Sequence, residues 1–219
     1  MANVIIFGIQ DYAELAHFYL AHDSEHVVAA FCVDKDYVPD DRQFRGLPVV
    51  AFEEVEQSFP PDKFHFFAPM SPKDMNRARE RVFLKIKAKG YRLISYVSSK
   101  ATVFNNKIGE NCFILEDNTL QPFTDIADNV VLWSGNHIGH HGSIGAHVTV
   151  TSHVVMSGHC KIGAYSFLGV NATLRDNIVI GEGTFVAMAS AIMKNTEEWS
   201  VYKGNPATKL SMSSVDLKL

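Results

Sequence analysis

Between residues 108 and 192 every sixth position is apolar: Ile108, Ile114, Leu120, Ile126, Leu132, Ile138, Ile144, Val150, Met156, Ile162, Leu168, Leu174, Ile180, Val186 and Ile192. A strand buries alternate residues and a helix repeats every ~3.6, so neither alone produces a strict six. A chain that turns a corner every six residues does. Three short strands then close a triangular coil of about eighteen residues, and coils stack into a solenoid. Four residues after each apolar position stands a mostly small or medium side chain, such as Cys112, Thr124, Val130, Gly142, Cys160, Ser166 and Ala172, as expected where a tight corner points inward. Residues one coil apart lie above one another, so Ile108, Ile126, Ile144, Ile162 and Ile180 form one ladder, and Asn118 and Asn136 stack on another face, where amides satisfy buried polar groups.

Ahead of this repeat the pattern alternates strand and helix. Residues 4–7 are a short apolar run before Gly8. Residues 11–20 read as a helix with Asp11 as N-cap and Glu14 in a capping box. Residues 27–33, 47–50 and 64–68 read as strands, and residues 93–97 as a last one. Ser71-Pro72 opens a helix that Gly90 closes, with Met75, Ala78, Val82 and Ile86 at helical spacing. Strand–helix alternation predicts a small open parallel sheet. The expected division is an α/β Rossmann-like domain over 1–98, an all-β solenoid over 99–197 and a closing segment over 198–219.

Composition narrows the class. The chain has 219 residues, 47% hydrophobic and 20% charged, with a net charge of −4. That balance gives no reason to expect nucleic acid or an anionic membrane as partner. No apolar run is long enough to cross a bilayer, and residues 4–7 are too short for a signal-peptide core. Cys32, Cys112 and Cys160, odd in number and widely spaced, suit reduced thiols in a cytoplasmic protein. Cys112 and Cys160 fall at inward positions, where they are poorly placed as nucleophiles.

The hexads resemble the left-handed parallel β-helix of hexapeptide-repeat acyltransferases. The order of sheet then β-helix resembles bacterial sugar acetyltransferases of the NeuD/PglD type. The resemblance is carried by Ile138-Gly139-His140-His141-Gly142-Ser143-Ile144-Gly145 and by Gly204-Asn205-Pro206-Ala207 beyond the last coil. It implies a homotrimeric enzyme that uses acetyl-CoA, without a metal, to N-acetylate a nucleotide-linked aminodeoxy sugar for surface-glycan (lipopolysaccharide or O-antigen) synthesis. The family's catalytic histidine falls on His140. Its acidic neighbours do not carry over, since Gly139 and His141 flank it; Asn136, His137, His141, Glu116, Asp117 or an acid of a neighbouring chain are the candidates to orient the ring. The resemblance further implies CoA contacts at Gly158, Val170, Ala187 and Ala189, with Lys203, Gly204, Asn205 and Pro206 closing the far end and Lys194 or Lys203 toward the 3′-phosphate. The acceptor's nucleotide is expected at Gly8, Gln10 and Asp34, at the strand ends of the sheet. Only Gly8 matches a glycine-rich nucleotide loop, and Asp11 at the helix start opposes a phosphate there.

Imidazole suits the chemistry, because the attacking amine or hydroxyl must lose a proton as it reaches the thioester carbon. The oxyanion needs a donor, and a backbone N–H near Gly158, one coil beyond His140, is placed to supply it. Six histidines cluster here: His137, His140, His141, His147, His153 and His159. Of those at the fourth hexad position only His141 and His159 are one coil apart, so the others point to different edges. Rival readings follow from the same residues. Sugar O-acetylation competes with N-acetylation. A γ-carbonic-anhydrase-like zinc enzyme shares the solenoid, but its close histidine pair is five residues apart and none here is. An NAD enzyme would need glycines that Gly8-Ile9-Gln10-Asp11-Tyr12-Ala13 lacks. A non-catalytic, nucleotide-sensing scaffold would show no acetyl-CoA turnover.

Overall fold

The computed structural model describes residues 1–217. Its first part contains β1 (Asn3–Phe7), α1 (Asp11–His22), β2 (Val27–Val33), β3 (Gln43–Phe44), β4 (Leu47–Ala51), α2 (Val55–Ser58), β5 (Phe64–Phe67) and α3 (Arg77–Ala88). The sheet order is β3-β4-β2-β1-β5, with all neighbours parallel except the β3–β4 hairpin. The central β1 is buried on both faces, as its unbroken apolar run requires. Val4 and Ile6 pack with Ala13, Ala16 and Leu20 of α1; Ile5 and Phe7 pack with Val82, Phe83 and Ile86 of α3.

Three local expectations are corrected. Helix α1 is capped by Gln10, not Asp11, and no side chain caps it, so the Asp11–Glu14 capping box does not form. Helix α3 starts at Arg77 rather than at residues 71–72. Asp74, Met75 and Asn76 all take positive φ (57°, 45° and 67°), which breaks the helical path before it. The expected strand over 93–97 is divided: Leu93 bridges Phe66 of β5, while Tyr96–Val97 pair with Phe113–Ile114 of the solenoid. The solenoid thus takes its first strand from ahead of residue 99.

From Tyr96 the chain winds as a three-sided parallel prism. Face one stacks strands through Phe113–Ile114, Val131–Leu132, Thr149–Val150, Phe167–Leu168 and Phe185–Val186; face two runs through Thr119–Leu120, His137–Ile138, Val155–Met156 and Thr173–Leu174; face three through Asp125–Ile126, Ser143–Ile144, Lys161–Ile162 and Val179–Ile180. Each pair is in register with the residue eighteen positions on, as in Ile126 with Ile144. The sixth-residue apolars fill the interior together with Cys112, Val130, Val148, Val154, Cys160, Ala172 and Ile178. The residue just before each of these inward corner positions has positive φ (Asn111, Asn129, His147, His153, His159, Asn171 and Asn177), as does His141 before the corner residue Gly142. Asn, Asp and His tolerate that left-handed geometry better than most side chains, which explains much of the histidine and asparagine content at the edges.

The sheet unit covers face one and the edge between faces three and one. Tyr12 meets Trp133 edge-on at 5.6 Å, and the Tyr19 hydroxyl donates to Glu116 at 3.0 Å. Arg79 is buried at this seam, with donors directed at the carbonyls of Met70, Asn129, His147 and Val148 and at the Thr149 hydroxyl. All five acceptors are neutral, and burial pulls the guanidinium down to about 10. Asn76 inserts beside it, donating to the Tyr165 carbonyl at 2.9 Å and accepting from the Thr149 hydroxyl at 2.7 Å. These bonds hold the left-handed Asp74–Asn76 turn and account for the late start of α3.

Candidate active site

The corner between faces two and three carries His140, His141 and His159, all exposed. The strand His137–Ile138 ends immediately before it, and Gly139 allows the corner because a Cβ there would meet the Ser157–Gly158 backbone at 2.5–2.7 Å. His140 lies against Gly158 of the next coil, where a Cβ would stand 2.7–2.8 Å from Cε1 and Nε2 of the ring. Glycine at that position is what lets the imidazole lie along the coil edge. His140 Nδ1 is 2.9 Å from His141 Nδ1, so one ring donates a proton to the other and the Nε2 of His140 remains on the Gly158 side. The Gln121 side-chain oxygen accepts from the His140 backbone N–H at 3.1 Å. The His141 ring is sandwiched between Phe123, at 4.6 Å, and His159, stacked at 5.0 Å.

Other candidates to orient His140 are engaged elsewhere. Asn136 is buried inside the coil, donating to the Trp133 carbonyl and accepting from Val154 N–H. Glu116 accepts from Tyr19 and from Ser134 at 2.7 Å, at the seam with the sheet unit. Asp117 is a turn residue on the edge between faces one and two. His147 and His153 lie on the two other edges. His147 is buried beside Asn129, 2.8 Å from its amide, and burial pushes its pKa down against the opposing pull of Glu80. The thiols of Cys112 and Cys160 are buried and pushed upward by burial, Cys112 to about 11, which disfavours a nucleophilic thiolate.

The expected CoA residues divide between two edges. Gly158 is at the His140 corner. Val170, Ala187 and Ala189 lie on the edge between faces one and two, where Ala189 N–H donates to the Val170 carbonyl and Ala187 N–H to the Tyr202 carbonyl. The Lys203–Pro206 turn joins this second edge, since Gly204 accepts from Ala191 N–H and donates to the Ser190 hydroxyl. Lys194 and Lys203 are exposed and in no ion pair among the described residues.

Gly8, Gln10 and Asp34 do converge. They line one cleft of about 840 Å³ at the C-terminal ends of β1, β2 and β5, together with Phe7, Tyr12, Tyr37, Phe44, Met70 and Lys73. Gly8 has φ of 113°, a conformation that glycine alone adopts readily. Asp34 is not free: Lys85 of α3 pairs with it and rests over the rings of Phe7 and Phe52 at 4.6 Å. Glu14 is likewise paired, with Arg45. Sequence reasoning missed these two pairs and Gln121. The Lys85 pair had no local signal, because its partners are 51 residues apart.

No family model matches the chain, and no curated protein matches it in sequence. Solved structures share its fold. PerB from Caulobacter crescentus, solved with CoA and GDP-perosamine, has a TM-score of 0.83 and 21% identity over 96% of this chain and 98% of its own. The acetyltransferase domain of PglB from Neisseria gonorrhoeae FA1090 has the same TM-score and identity, over 96% of this chain and 100% of its own. WeeI from Acinetobacter baumannii AYE has a TM-score of 0.65 and 18% identity over 96% of this chain and 100% of its own. The likeness spans both the sheet unit and the prism.

Proposed function

We propose that the chain is an acetyl-CoA-dependent sugar N-acetyltransferase of the NeuD/PglD type, with a Rossmann-like sheet holding a nucleotide-linked amino sugar and a left-handed β-helix holding CoA. The carrying observation is the His140 ring on an exposed corner, its Nδ1 tied to His141 and its Nε2 on the side of Gly158. The fold shared with PerB, an enzyme solved with both CoA and an amino-sugar nucleotide, supports the same reading. His140 Nε2 takes the proton from the acceptor amine as nitrogen attacks the thioester carbon. In the tautomer where His140 Nδ1 donates to His141, its Nε2 is the free base. The Gly158 backbone N–H is the donor offered to the developing oxyanion, since the N–H groups of Ser157 and His159 on either side bond to the carbonyls of Leu174 and His140. The C–S bond breaks, the proton held by His140 passes to the departing sulfur to give CoA thiol, and the chemistry calls for neither a covalent enzyme intermediate nor a metal.

The site is shared between chains. The acceptor cleft belongs to the unit on face one, and His140 stands on the opposite edge of the triangular prism. An acceptor in one chain's cleft therefore meets the imidazole of another, in keeping with a homotrimer. The CoA residues on the two edges then form facing walls of a groove between neighbouring prisms. Phe123, 73% exposed, and Val155, 42% exposed, supply apolar surface beside that groove. A mass-spectrometric screen of amino-sugar nucleotides with acetyl-CoA tests the reading and separates amide from ester products. His140→Ala is expected to lower kcat by ~10²–10⁴ with the fold intact, the range for a lost general base. Near-normal turnover by that variant would remove His140 from this role.

A further inference from the structure

The histidine corner has a property that proton transfer does not require. His140, His141 and His159 each offer a ring nitrogen, and the three atoms lie within 4.8 Å of one another. The 2.9 Å between the two Nδ1 atoms subtends about 90° at an ion about 2.0–2.1 Å from both, the ordinary zinc–imidazole distance. His159 stands over the pair, its ring centre 5.1 Å from that of His140 and 5.0 Å from that of His141. The left-handed corner fixes the backbones of His141 and His159, so small side-chain rotations close the set. All three rings are exposed, which keeps the desolvation cost of the ligands low and leaves further coordination positions to water. Among the described residues no carboxylate bonds to any of the three. An all-imidazole set of this kind favours zinc, nickel or copper over magnesium or calcium.

We propose that this corner binds one first-row divalent transition ion through His140, His141 and His159, and that the ion switches off His140. The second half rests on the acetyltransferase reading; the first does not. With the ion on Nδ1, the proton that His140 retains sits on Nε2, the atom that would otherwise accept the acceptor's proton. The ion is thus an inhibitor competing with the shared proton, not a cofactor.

The experiment uses full-length protein stripped with chelator and titrated calorimetrically with zinc chloride, alongside His159→Asn. Asparagine suits the left-handed corner, as Asn177 shows one coil further on. One zinc per chain is expected for the unchanged protein. The variant should bind zinc weaker by roughly tenfold or more, a loss of at least about 1.4 kcal/mol, while its metal-free acetyl transfer stays within about twofold, since His159 has no part in the proposed chemistry. Zinc should inhibit the unchanged enzyme and chelator restore it. Absence of saturable binding, or equal binding by both proteins, would leave only adventitious surface zinc and overturn the site. Binding without inhibition of a working enzyme would overturn the switch. Binding by a protein that transfers no acetyl group would leave the site standing and sink the enzymatic reading instead.

Discussion

At His140 the partner is an imidazole rather than a carboxylate. The resembling motif carries acids beside its histidine; here His141 Nδ1 holds the place at 2.9 Å. A carboxylate would stabilise the imidazolium through charge, whereas an imidazole offers only a hydrogen bond, whose donor depends on the tautomer. His141→Phe tests this cleanly, because Phe123 shows that the same corner geometry accepts phenylalanine and the ring preserves stacking on His159. The expected result is a kcat lowered by about 10–100-fold, as when the group that orients a working histidine is lost, with KM for acetyl-CoA little changed. A raised KM with intact kcat would reduce His141 to packing. His147 makes a different prediction. Its folded pKa is depressed below 6.5 by burial, so the unfolded chain binds more protons as pH falls below that value. Stability should therefore decline with acidification from about pH 6.5 until the folded pKa is passed. His147→Asn should flatten that limb in urea midpoints measured across the range; an unchanged slope would assign it to other groups.

At the scale of the element, each coil contributes the same small unit: an inward apolar residue, a left-handed corner and an inward small residue. Ile144 is 1% exposed between Ile126 and Ile162, with ladder neighbours on both sides. Ile144→Ala should cost about 2–5 kcal/mol, the usual range for a large side chain lost from a packed core, read as the shift in chemical denaturation. A loss under 1 kcal/mol would mean that the stack collapses around the gap. The repeat was legible in the sequence because side-chain burial there depends only on spacing. The convergence of His141 and His159 followed from the same interval. The starts of α1 and α3 were not legible. Gln10 lacks a capping side-chain bond, and the Asp74–Asn76 turn is imposed by bonds to Thr149, Tyr165 and Ser166, more than seventy residues away. Arg79 likewise reads as one more cation on a helix; its burial is set by carbonyls of the prism edge.

For the whole molecule, the cleft and the histidine corner face different ways. If the site needs two chains, two dead variants should rescue each other. His140→Ala removes the proposed base, and Gln10→Trp fills the cleft at a residue whose extended backbone tolerates bulk. Unfolded together and refolded, a random mixture of cyclic trimers should recover about a quarter of the normal rate, since half of the clefts and half of the bases are intact. No recovery would place cleft and base on one chain. The eighteen-residue coil also sets a rule for changes in chain length. An extra eighteen residues placed between Ile144 and Met156 would lengthen the rod without altering its rotational phase, and His159 would lie directly over the corner but one storey too high. An extra six would turn everything beyond by a third of a revolution and carry His159 to a different edge, dismantling the corner while leaving every interior contact chemically similar. Evolution can therefore lengthen this protein freely only in whole storeys.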